Sequence, residues 1–147
     1  MKHWLIVLLL CFGSVSAQLP KSADSLKIYI DTKPKDTNYV QALSDYSFIK
    51  IQEGDLDAAS KLIDKMDALT KKLDWKAGYY KTTNMRGVVE YSRQEFEKAM
   101  AYFLEAEKII IKYKLPAKIY QNWLNNIIVI NNDIGDREKA TAYATKL

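Results

Sequence analysis

Chemistry that needs a thiol or an imidazole has one residue of each kind to draw on. Cys11 and His3 are the only cysteine and the only histidine in the 147-residue chain. Both lie ahead of Ala17, in a stretch whose composition marks it for removal. Without them no Ser-His-Asp or Cys-His mechanism can be assembled, no zinc site of the usual His/Cys kind and no disulfide. Paired carboxylates do occur, Asp55 with Asp57 and Glu95 with Glu97. Each pair opens a predicted helix, where acidic side chains face the helix dipole favourably, so a structural role outweighs acid–base catalysis. No segment follows the D-x-[DN]-x-[DN]-G pattern of a calcium loop. The expectation is a protein that is not an enzyme and that holds no metal and no cofactor.

The first 17 residues read as a secretory signal peptide. Lys2 and His3 supply a basic start, Trp4 to Phe12 is an unbroken apolar run, and Val15-Ser16-Ala17 is a small-x-small cleavage site. Cleavage is expected between Ala17 and Gln18. A membrane-spanning helix needs about 20 apolar residues, which this run does not reach, so no transmembrane helix is expected. Leu8-Leu9-Leu10 ahead of Cys11 lacks the small residue of a lipid-attachment site. The mature chain is expected to be exported, periplasmic or extracellular.

Charge points to no polyanionic partner. Lys plus Arg is 22 against 18 acids, and removal of Lys2 leaves a mature net charge of +3. The basic residues are interleaved with acids, and the densest clusters, Lys71-Lys72 and Lys108/Lys112/Lys114, are short. A nucleic-acid binder concentrates its charge in a stripe, so no nucleic-acid partner is expected.

Positioning falls to helices. The chain has three prolines and five glycines, is rich in Ala, Leu, Lys, Glu, Ile and Tyr, and shows no period-2 run flanked by hairpin turns. Tyr102, Phe103, Ala106, Ile109, Ile110 and Tyr113 recur at three and four residues, a helical stripe. Three segments align around a turn, an acid that can cap a helix and an alanine four residues later. Those alanines are Ala59, Ala99 and Ala140, spaced by 40 and 41 residues. Tyr39, Tyr79 and Tyr120 head the preceding helices, and Ser47, Gly87 and Ile128 fall where paired helices should cross. A lead-in helix is predicted near Ala23–Ile30. Three helical hairpins follow, with first helices over Thr37–Glu53, Lys76–Arg93 and Ala117–Asp133. Second helices are predicted over Asp55–Leu73, Glu95–Lys114 and from Asp136 onward.

These residues resemble the tetratricopeptide repeat (TPR) family. Gly87, Tyr91, Phe96, Ala99, Phe103 and Ala106 carry the likeness in the second repeat. Gly54, Asp55, Leu56 and Ala59 carry it in the first, and Leu124, Gly135, Asp136 and Ala140 in the third. The family repeat is about 34 residues and these are six or seven longer, like its extended class. Gln94 and Arg137 depart from the usual turn glycine and aromatic. The resemblance implies an all-α fold, a right-handed helical-hairpin solenoid preceded by the signal peptide. Its expected division is 1–17 signal, 18–36 lead-in helix and linker, and 37–147 three repeats, the last incomplete. Ala23 to Lys27 and Lys35 to Leu43 are similar to exported bacterial TPR arrays that precede a membrane helix and a histidine kinase or other signalling output. The implied function is an exported scaffold for protein or peptide binding, the extracytoplasmic sensory region of a signal-transduction protein. The alternative is a stand-alone adaptor or structural TPR protein of the envelope.

TPR geometry further implies a concave groove lined by the first helices, with inward rows Gln41/Lys81/Asn122, Ser44/Asn84/Asn125 and Phe48/Val88/Val129. An asparagine there can donate and accept at once, and so hold a peptide backbone without reading its sequence. The basic set of a carboxylate clamp is represented by Lys81 alone. At the other end, Ile127, Ile130, Tyr143, Ala144 and Leu147 are expected to form an apolar face without a partner, through which the open last repeat would self-associate.

Overall fold

Three aspartates set three of the helix starts. Asp36, Asp55 and Asp136 each accept a backbone N–H three residues on, from Tyr39 at 2.9 Å, Ala58 at 3.0 Å and Lys139 at 3.1 Å. Each satisfies a donor that the first helical turn leaves free. The computed structural model describes residues 19–146; the expected signal peptide at 1–17 and Leu147 lie outside the described residues.

The described residues form seven helices and no strand. They are α1 (Ala23–Thr32), α2 (Thr37–Gln52), α3 (Leu56–Leu73), α4 (Lys76–Ser92), α5 (Phe96–Tyr113), α6 (Ala117–Asp133) and α7 (Arg137–Ala144). The protein is all-α, as the composition and periodicity imply. The turns that close the three hairpins are alike. Gly54, Gln94 and Gly135 all take positive φ, at 79°, 62° and 83°. Glycine adopts that conformation without penalty, whereas Gln94 carries a Cβ into it.

Each helix packs on the next in sequence, and α4 also touches α2 and α6. Two apolar cores result. Val40 and Leu43 of α2 meet Ile63 and Met66 of α3 and Val89 of α4 in the first. Tyr80 of α4, Phe103 and Ile110 of α5, and Trp123 and Ile127 of α6 meet in the second. The repeated alanines Ala59, Ala99 and Ala140 are all buried, which is why the position admits no larger side chain.

Close helix approach falls at the expected small residues. Ser47 is buried and donates its hydroxyl to the Leu43 carbonyl at 2.7 Å. A Cβ on Gly87 would lie 2.6 Å from the Phe103 ring. Gly78 is as crowded, at 2.7 Å from Thr70 Oγ1.

The expected apolar face at the C-terminal end is corrected in its composition. Ile127 and Ile130 are fully buried in the second core. Short as it is, α7 reaches far enough to set Tyr143 edge-on against Trp123, with ring centroids 5.7 Å apart. Ala144 is exposed. None of the described helices is long and apolar enough to cross a membrane.

Candidate functional site

On the side of α2 and α4 where the groove is expected lies an open inner hollow of about 570 Å³. On α2, Gln41 lies three and four residues before Ser44 and Asp45, and Phe48 lies four and three residues after them, so they share one face. Lys81 and Met85 occupy the same position on α4. Ile49 of α2, Leu26 of α1 and the non-helical segment Leu19-Pro20-Lys21 complete the lining. Four of the expected groove residues, Gln41, Ser44, Phe48 and Lys81, are therefore brought to one place.

Polar and apolar groups are juxtaposed there. The Gln41 amide donates to Asp45 Oδ1 at 2.7 Å, a bond between residues one turn apart. Ser44 is buried, while Phe48 on the same face stays 48 % exposed, unusual for a phenylalanine with a helix on either side. Lys81 is half-buried and makes no ion pair among the described residues. Burial holds its ammonium below the usual lysine range, with the nearby Asp45 carboxylate acting in the opposite direction. A partly desolvated cation that shares a hollow with an exposed aromatic ring can donate to a carbonyl or carboxylate oxygen while the ring takes an apolar side chain.

The remaining expected residues lie outside this hollow. Asn84 Oδ1 accepts the amide of Asn126 at 2.9 Å, which ties α4 to α6. Asn126 thus faces Asn84, one position beyond the aligned Asn125, because helices that cross bring diagonal rather than level positions together. Val88 packs against the second core. Asn122, Asn125 and Val129 are exposed on α6. Sequence alignment of the repeats missed Asp45, Met85 and the segment Leu19–Lys21. The four-residue step from Gln41 to Asp45 was a readable signal for the first; the segment carries no periodicity and left none.

The outer side of α4 shows further hollows, lined by Arg86, Glu90, Arg93 and Tyr102. Both arginines are already paired. Arg86 reaches Asp64 at 3.3 Å and Asp67 at 3.4 Å, and Arg93 reaches Glu90 at 2.9 Å and Asp57 at 3.4 Å. The Arg86 pairs and the Arg93–Asp57 pair brace the α4 side against α3, while Glu105 lines one of these hollows with no ion pair among the described residues. Compared with known proteins, the chain matches no family model, no curated protein and no solved structure.

Proposed function

We propose that the chain is an exported TPR-type scaffold that binds an extended peptide or protein segment along the inner side of α2, α4 and α6. It serves in this reading as the extracytoplasmic sensory region of a signal-transduction protein. The observation that carries the binding role is the inner hollow, lined by an exposed Phe48 and by a half-buried Lys81 that has no ion-pair partner among the described residues. Support for the solenoid comes from the direct packing of α2 on α4 and of α4 on α6, and from the buried alanine at the same place in each second helix. Export rests on the apolar run Trp4–Phe12 and on Val15-Ser16-Ala17.

A displayed library of extended peptides tests the binding role. Selected peptides are expected to shift the amide resonances of Gln41, Ser44 and Lys81, and to lose affinity on Phe48→Ser. Selection that yields no binder, or binders that map to the outer side of α4, would overturn it. The sensory role is checked by reading the gene beyond Leu147, where a membrane helix and a signalling domain in frame are expected; an immediate stop codon favours the stand-alone adaptor.

A further inference from the structure

One wall of the hollow that the proposed binding role depends on is a segment of the chain that belongs to no helix. Ser22 caps α1 with an extended backbone, its Oγ accepting the Ser25 N–H at 3.3 Å. The cap turns the preceding residues out of the helix. Leu19, Pro20 and Lys21 then line the same hollow as Gln41, Ser44, Phe48 and Lys81. Leu19 and Pro20 are half-buried although they belong to no helix.

What holds this segment is limited. Among the described residues Leu19, Pro20 and Lys21 make no hydrogen bond, backbone or side chain, and Lys21 enters no ion pair. Pro20 has no N–H to donate and favours an extended backbone. The segment is thus held by no hydrogen bond or ion pair among the described residues, and it shares its hollow with Lys81, which has no ion-pair partner there. An extended segment that brought both an apolar side chain and backbone carbonyls for Lys81 and Gln41 would make the same contact and add hydrogen bonds.

We propose that Leu19–Lys21 is an internal strap that walls one side of the groove in the free protein, and that the groove admits an extended peptide carrying an apolar residue followed by proline, which takes the strap's place by displacing it. This rests on the peptide-binding reading given above. The strap has the advantage of being tethered: its effective concentration is that of a short flexible linker, about millimolar. A ligand must exceed that competition, so weak or unrelated segments are kept out.

The experiment compares the full chain with the full chain carrying Leu19→Ser and Pro20→Ser, using nuclear magnetic resonance. The substitutions alter no helix and are expected to leave the melting midpoint in place while moving the resonances of Gln41, Ser44 and Lys81. The probe is the blocked pentapeptide Gln-Leu-Pro-Lys-Ser, the strap's own sequence supplied in trans. It is expected to shift those same resonances in the substituted protein, and to bind the unaltered chain at least about tenfold more weakly. Unmoved resonances in the substituted protein would overturn the strap. Equal binding of the pentapeptide to both proteins would overturn competition while leaving the groove a peptide site. Moved resonances with no binding to either protein would overturn displacement, and the library selection decides the binding role separately.

Discussion

Gly87 of α4 and the aromatic ring of Phe103 on α5 are packed so closely that a methyl group on Gly87 would stand 2.6 Å from the ring. Phe103 is itself buried in the second core, with its carbonyl oxygen accepting the Trp123 indole N–H at 2.7 Å. The ring is packed in the core that Trp123, Leu124 and Ile127 of α6 share, so a shift of the ring must displace neighbours there. Alanine in mid-helix gains about 1 kcal/mol over glycine from propensity, but overpacking a filled core costs about 1–3 kcal/mol. Gly87→Ala is therefore expected to lower the melting midpoint. A midpoint that rises would mean that the ring has room to move.

The turn between α4 and α5 offers the opposite outcome. Gln94 sits at φ 62°, where Gly54 and Gly135 stand in the equivalent turns. The left-handed conformation costs a side-chain-bearing residue about 1–2 kcal/mol, and glycine gives back about 0.5–1 kcal/mol of that in chain entropy. Gln94→Gly is expected to stabilise the protein by about 0.5–1 kcal/mol in urea unfolding, with an unchanged denaturant slope. Destabilisation would show that the glutamine side chain makes a contact worth more than the turn.

Asn84 and Asn126 give a test of role. Their bond spans α4 and α6, and a net contribution of about 0.5–1.5 kcal/mol is typical of such a pair. A double-mutant cycle with alanine at both positions is expected to return a coupling in that range, whereas Asn125→Ala, on the exposed side of α6, is expected to leave stability unchanged. Zero coupling between Asn84 and Asn126 would free Asn84 for the groove.

The pattern of helices was legible in the sequence because caps, turns and helical stripes are local. Asp55 and Asp136 cap helix starts as expected, whereas Glu95, the acid at the same place in the second turn, makes no side-chain capping bond; the buried Ala59, Ala99 and Ala140 recur at a fixed distance behind their turns. Registration across helices was not legible to the same degree. Repeat alignment pairs Asn84 with Asn125, but the partner is set by how α4 and α6 cross, and that selects Asn126. Ile127 and Ile130 read as open surface from a short final helix; they are buried in the second core, against which Tyr143 of α7 packs. At the inner hollow, Gln41, Ser44, Phe48 and Lys81 followed from the rows of the repeat. The part contributed by Leu19–Lys21 did not, since an extended segment leaves no repeating mark and its place is fixed only by tertiary contact.

Lys81 closes the set with a pH dependence whose sign is determined by its cause. Burial disfavours the ammonium and moves the folded-state pKa below the unfolded value of 10.5, with Asp45 opposing part of the shift. Below the folded-state pKa both states carry the proton, and folding bears the full cost of desolvating the charge. Between the folded-state pKa and 10.5 the unfolded chain holds the proton more tightly, so this residue's contribution to stability rises with pH. Above 10.5 the cost is gone. Lys81→Met keeps the length and apolar stem of the side chain and removes the charge, so it is expected to melt above the unaltered protein at neutral pH. The gap should narrow as pH climbs toward 10.5. Other lysines and tyrosines titrate in the same interval, and taking the difference between the two proteins at each pH cancels their common part. Chemical denaturation of both proteins from pH 7 to pH 10.5 measures it. A gap that stays constant across that range, or a variant less stable at pH 7, would mean that the ammonium is solvated or paired and that the hollow holds no desolvated cation for a ligand to meet.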